Sequence, residues 1–185
     1  VVTVRPETAA RWAGKGTTLA LRPNEQMRIG DLLLATTAAS ANDAAVALAE
    51  ASAGSVESFA AMALQRTRQL GMQHSWFKNP NGYPDKGGTM TTAEDMATLA
   101  RALINEHPVL YRRYFGQPGI NWRGKFLPNR DPMIGVVPGA DGIKTGFTRE
   151  AGFTFVGSLE RSRRRLVLVI GRGKTEASRA NAARV

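Results

Sequence analysis

The sequence predicts an α+β fold, an antiparallel sheet packed with a cluster of helices. From Asp31 to about Glu106 apolar residues recur at helical spacing. From Gly142 onward they fall instead in short β-type runs separated by turn-forming or charged residues. The 185 residues, 43% of them hydrophobic, suffice for one domain that buries roughly two-thirds of its unfolded surface.

The helical half carries its own punctuation. Asn42 or Asp43 can cap a run through Ala53, which Gly54 closes; Ser55 opens the next helix and Gly71 ends it. Thr91 with Glu94 three residues later makes a capping box, and the helix behind it places Met96, Leu99, Ala100 and Leu103 on one face. Three or four helices are expected there. The stretch KNPNGYPDKGGTM reads as a loop, and Gln117 to Asp131 as mostly irregular with a short strand at Ile120–Trp122. Then GIKTGF, GFTFVGSL and RLVLVIG predict three consecutive antiparallel strands, followed by a helical composition after Gly173. Arg161, Arg163, Arg164 and Arg165 fall where a hairpin tip is expected, which favours a solvated turn over a polyanion contact. Three strands leave an edge unpaired, and the opening VVTV is too short to cover it, so further strand and helix are expected before Val1.

Composition narrows the chemistry. With no cysteine, thiolate catalysis, disulfides, iron–sulfur clusters and cysteine-ligated zinc are excluded. His74 and His107 stand far apart, so a multi-histidine metal centre is not expected and serine chemistry needs another base. No run approaches the ~20 apolar residues that span a bilayer, and the first residues lack signal-peptide order. The absent initiator Met points to a trimmed product that starts upstream. A net charge of +10 raises nucleic-acid binding, but the basic residues are scattered.

Three motifs compete. Gly171-Arg172-Gly173-Lys174-Thr175 follows a strand and precedes a helix, but Leu168 stands where a Walker A loop needs glycine. Ser75-Trp76-Phe77-Lys78 matches S-x-x-K, yet it lies in a Pro/Asn loop, where the lysine is not held one helical turn from the serine, and it reads as a chance match. The third is a pair, Ser40-Ala41-Asn42 between two helices and Lys144-Thr145-Gly146 on the first late strand, 104 positions apart. Singly these are ordinary cap, strand and turn residues. In this order they match the S-x-N and K-T-G elements of penicillin-binding proteins and β-lactamases.

With the segments ASANDAAVALAEASAGSVESF, LGMQHSWFKNPNGYPD, MTTAEDMATLARALI and PGADGIKTGFTREAGFTFVGS in family order, the sequence resembles the serine D-alanyl-D-alanine carboxypeptidases, or low-molecular-weight penicillin-binding proteins, over essentially its whole length. The resemblance implies a DD-peptidase/β-lactamase-like fold whose N-terminal part is missing. It implies a substrate, a peptidoglycan stem peptide ending in D-Ala-D-Ala, with β-lactams as inhibitors, no cofactor or metal, no nucleic acid, and a periplasmic or extracytoplasmic setting, with membrane association left open. It gives Ser40 a proton relay to the leaving amine, Asn42 a hydrogen bond to the substrate amide and the orientation of a neighbouring lysine, and Lys144 the cation beside the oxyanion and the substrate carboxylate. Thr145 would donate to that carboxylate, Gly146 would let the substrate backbone approach, and the Phe147 N–H would form half the oxyanion hole. The family often has histidine at the position of Phe147, which puts side-chain contacts there in doubt. Arg179, 14 residues after Arg165, stands where the family places a carboxylate-binding arginine; a solvated arginine is the competing reading.

One element is absent: none of the 39 residues before Ser40 is a serine. The expectation is therefore a peptidase whose S-x-x-K segment lies outside this chain, which by itself is inactive. A β-lactamase or esterase, a non-catalytic cell-wall-binding module and a nucleic-acid binder are the alternatives, in that order.

Overall fold

The computed structural model describes residues 1–184. A short ribbon pairs β1 (Val2–Thr3) with β2 (Gln26–Met27), and α1 (Pro6–Trp12) lies between them in sequence. Four helices follow, α2 (Ile29–Thr37), α3 (Asn42–Ala53), α4 (Val56–Gln69) and α5 (Ala93–Glu106), then α6 (Pro108–Tyr114). A hairpin of β3 (Gly119–Trp122) and β4 (Lys125–Pro128) precedes the main sheet. That sheet is antiparallel in the order β5 (Ala140–Thr148), β6 (Gly152–Arg161), β7 (Arg164–Gly173), and α7 (Glu176–Arg184) closes the described chain.

The four helices and three late strands are those the sequence predicts. Ser55 caps α4 by accepting the Ser58 N–H at 3.0 Å, and Gly54 ends α3 at φ 83°. Elsewhere the local signals mislead. The cap of α5 is Thr92, which accepts the Asp95 N–H at 3.1 Å. The Thr91 hydroxyl is instead 2.7 Å from Ser75 Oγ, and Asp95 reaches back to the Ser75 hydroxyl at 2.7 Å and the His74 N–H at 3.0 Å. Those bonds shift the helix start by one residue and bury Ser75, so the Ser75–Lys78 tetrapeptide is structural, as its loop setting predicts. Neither Asn42 nor Asp43 occupies the α3 cap, which is Ala41 with no side-chain bond. The strand expected at Ile120–Trp122 is present as β3, but the rest of that segment is not irregular: β4 pairs with it, and the hairpin packs Ile120, Trp122 and Leu127 on the helical core and lets Trp122 Nε1 donate to Leu19 O at 2.8 Å.

The arginine run is not uniformly solvated either. Ser162 and Arg163 form the tip, both at positive φ. Arg165 instead lies along β7, where it binds Asp141 at 2.9 Å, Ser158 at 2.6 Å and Glu160 at 2.6 Å and stacks over Tyr111. The strand-to-helix turn after β7 is a capping box. Thr175 and Ser178 exchange N–H to hydroxyl bonds, both 3.0 Å, in place of any phosphate loop.

The core has three parts. One lies among β1, β2 and α1–α3, with Val4, Leu32 and Ala44 fully buried. A second joins α5 and α6 to one face of the sheet through Ala100, Ile104, Tyr111, Ile143 and Val156. The third packs Met133, Phe155 and Ala183 between the sheet and α7. Asp43, 2% exposed, ties the first core together: its carboxylate accepts the N–H groups of Leu19 at 3.0 Å, Leu21 at 3.1 Å and Ala44 at 2.9 Å. Asp43→Ala is expected to cost on the order of 3 kcal/mol by stranding these donors. Asp43→Asn also destabilises, because its NH₂ would face an N–H. Urea unfolding of either variant within 0.5 kcal/mol of the wild type would contradict this assignment.

Candidate active site

The tight turn between α2 and α3 and the middle of β5 meet at one point. Ala41 N donates to Ala35 O at 3.0 Å and Asn42 N to Thr17 O at 2.8 Å, which pins the turn from both sides. Just before them Ser40 sits in the left-handed region at φ 61°, a conformation that costs a non-glycine residue about 1–2 kcal/mol. That backbone aims Ser40 Oγ at β5, where Lys144 Nζ donates to it at 2.8 Å. The same ammonium donates to its neighbour's carbonyl, Thr145 O, at 2.8 Å. The two halves of the paired motif are thus in direct contact.

Lys144 is partly buried, and burial, with the like charges of Arg130 and Arg179, pulls its pKa down to about 8. Asp131 acts in the opposite direction. The charges that act on one another here are three cations, Lys144, Arg130 and Arg179, and two carboxylates, Asp131 and the more exposed Glu176 that pairs with Arg179. Arg179 is 4% exposed. It donates to Glu176 Oε1 at 3.0 Å and lies over the Phe153 ring at 5.7 Å, while its buried Nε has no partner. This replaces the solvated-arginine reading: packing of α7 on β6 and β7 draws the guanidinium under the sheet end.

The remaining predicted residues distribute differently. Asn42 donates to Lys15 O at 3.1 Å; Gly16, at φ 68°, leaves room there, since a Cβ would lie 2.8 Å from Asn42 Nδ2. Gly146 has an internal reason to be glycine, because a Cβ would come within 2.6 Å of Thr154 Oγ1 on the paired strand. Phe147 is 58% exposed, with its ring against Phe153 at 4.3 Å. Arg130 and Asp131 were not identifiable beforehand, since Asn129-Arg130-Asp131 reads as an ordinary turn.

The enclosed ammonium makes stability depend on pH. Folded Lys144 loses its proton near pH 8, and the unfolded residue only near 10.5. Between these values the unfolded chain holds more protons, so raising the pH stabilises the fold. Lys144→Met lacks that gain. The stability difference, wild type minus variant, is expected to grow from pH 8 to 10 in urea melts, and a constant difference would refute the assignment.

Comparison with known proteins gives this geometry a family. The family model for D-alanyl-D-alanine carboxypeptidase, peptidase S11, matches residues 2–175. D-alanyl-D-alanine carboxypeptidase DacF of Bacillus subtilis is 33% identical over 170 residues, covering 89% of this chain and 43% of that protein. DacC of Escherichia coli, also a D-alanyl-D-alanine carboxypeptidase, is 34% identical over 162 residues, covering 87% and 40%. The crystal structure of penicillin-binding protein 5 from Haemophilus influenzae superposes with TM-score 0.92 at 28% identity, over 98% of this chain and 53% of that one. Penicillin-binding protein D2 of Listeria monocytogenes, in its cefotaxime-bound form, does so at 0.84 and 27%, over 99% and 72%. The chain spans about two-fifths of the length of these two carboxypeptidases. The shared fold, and two motifs brought into contact across 104 positions, have one reading: the chain belongs to the D-alanyl-D-alanine carboxypeptidase family of serine peptidases.

Proposed function

We propose that this chain is the substrate-binding and proton-relay part of a serine D-alanyl-D-alanine carboxypeptidase that acts on peptidoglycan stem peptides and is acylated by β-lactams. The observation that carries the reading is the 2.8 Å contact from Lys144 Nζ to Ser40 Oγ. On this reading the nucleophile is an S-x-x-K serine on a segment outside residues 1–185, because no serine precedes Ser40. The nucleophile attacks the carbonyl of the penultimate D-alanine, the C–N bond breaks, D-alanine leaves with a proton on its amine, and water cleaves the resulting ester.

The residues described above divide that work. Lys144 donates to Ser40 Oγ, so the serine's own hydrogen is free to point into the cleft and pass to the departing amine. A lysine that titrates near pH 8 can refill the relay at neutral pH. Arg179 and Thr145 receive the terminal carboxylate of the substrate, held by the pocket's net positive charge. Asn42 contacts the substrate amide after exchanging its Lys15 carbonyl partner, and the Phe147 N–H contributes to the oxyanion hole. Such substrates lie outside the cytoplasm, which places the enzyme there; no described helix is long and apolar enough to cross a membrane.

Two measurements test the proposal. Penicillin labelling followed by intact mass is expected to give no adduct on residues 1–185 alone, and a stable adduct once a segment carrying S-x-x-K is supplied. An adduct on the chain alone would disprove the division of labour. With that segment present, Arg179→Gln is expected to lower kcat/KM about 10–100-fold for a peptide ending in free D-alanine and to leave the C-terminal amide nearly unaffected. Equal losses on both peptides would remove Arg179 from carboxylate binding.

A further inference from the structure

The sheet face that carries Thr145 also carries a pair of aromatic rings. Side chains alternate along a strand and cross-strand partners share a face, so the register Thr145↔Phe155 and Phe147↔Phe153 sets these four residues on one side of β5 and β6. Phe155 shares a core cluster with Ala183, which makes this the side that α7 covers. Arg179 stands one turn before Ala183, about 6 Å along α7, and Phe153 stands two residues before Phe155, about 6.6 Å along β6. The two steps match. The Arg179 guanidinium accordingly lies over the Phe153 ring at 5.7 Å, and the exposed Phe147 packs on that same ring at 4.3 Å with the planes 33° apart.

The backbone is shaped to permit this approach. Phe155 pairs with Ile170 but Phe153 with Gly173, so β7 bulges between them, with Arg172 at φ 56°, and returns to β6 just before α7 begins. A Cβ on Gly173 would lie 2.9 Å from Phe153 O, 3.4 Å from Phe153 Cβ and 3.5 Å from Arg179 Cβ. Glycine is what lets the strand end, the ring and the arginine stem meet. Arg179 has few other fixed partners: its Nη2 donates to Glu176 Oε1 at 3.0 Å, while its buried Nε has none. The Glu176 side chain is 71% exposed, so that ion pair contributes little to fixing the guanidinium. An aromatic face holds a desolvated cation more firmly than a solvated one, and Phe153 supplies that face.

We propose that Phe153 is a positioning residue for the substrate carboxylate: its ring, paired with Phe147, seats the Arg179 guanidinium on the face of the sheet that Thr145 shares. It acts through Arg179 and need not touch substrate. This rests on the reading above that Arg179 receives the terminal carboxylate. An arginine held in place before the substrate arrives loses less freedom on binding, so the seat strengthens capture of the carboxylate.

The test uses the 185-residue chain, with N-acetyl-D-alanine and N-acetyl-D-alaninamide as probes, and follows the Arg179 side-chain resonances by NMR. A ring face moves protons above it upfield, so the Arg179 side chain is expected upfield of the ordinary arginine position in the wild type. An ordinary position there would overturn the proposal without any variant being made. Phe153→Leu keeps an apolar side chain and removes the ring, whereas Phe153→Tyr keeps the ring. Phe153→Leu is expected to bind the acid about fivefold more weakly than the wild type and the amide equally well. Phe153→Tyr is expected to restore both the affinity for the acid and the upfield shift. Unchanged affinity for the acid in Phe153→Leu would overturn the proposal, and so would equal losses in the two variants, because packing alone would then account for them. A wild type that binds acid and amide alike would remove the carboxylate reading instead, and the Arg179 resonances would still decide whether Phe153 seats the arginine.

Discussion

A lysine ammonium taken out of water is the constraint around which this structure is arranged. Lys144 is the middle residue of the nine-residue strand β5, and burial pulls its pKa down to about 8. Two hydrogen bonds, to Ser40 Oγ and to the Thr145 carbonyl, use two of its three donors. The rest of the balance is electrostatic and comes from residues scattered over the chain, a turn after β4 and a helix after β7. The outcome is a group whose charge changes near pH 8.

Holding Ser40 against that lysine takes more than the tripeptide. The serine occupies a left-handed backbone conformation, and the turn persists because Ala35 and Thr17 accept the N–H groups of the two residues after it. One residue further on, Asp43 closes the same turn from the α3 side by collecting three N–H groups. Strain at the functional residue is thus compensated by buried hydrogen bonds immediately behind it. On the other wall, the cross-strand register Lys144↔Val156 and the packing of Phe155 under β5 fix the lysine's height along the sheet.

Arg179 shows how the same packing serves both stability and chemistry. Cluster formation by Met133, Phe155 and Ala183 draws α7 onto the sheet. The same packing holds Arg179 of α7 buried at the sheet end, where its guanidinium pairs with the exposed Glu176 at 3.0 Å and its Nε is left without a partner.

The sequence alone determined the element types over most of the chain, the three-strand meander and the pairing of Ser40-Ala41-Asn42 with Lys144-Thr145-Gly146, because periodicity and short motifs are local properties of consecutive residues. Its errors were also local. Thr91 and Thr92 are equally good caps on paper, and only the tertiary demand of Ser75 on Asp95 chooses between them. The β3–β4 hairpin lacks a clear alternating pattern and exists because Trp122 and Leu127 cover a core built elsewhere. What only the folded chain decided is the electrostatics: that Arg179 is buried, that Asn42 faces Lys15, and that Arg130 and Asp131 belong to the site at all. Charge interactions depend on distance and on exclusion of water, and neither quantity is encoded in the spacing of residues along the polypeptide.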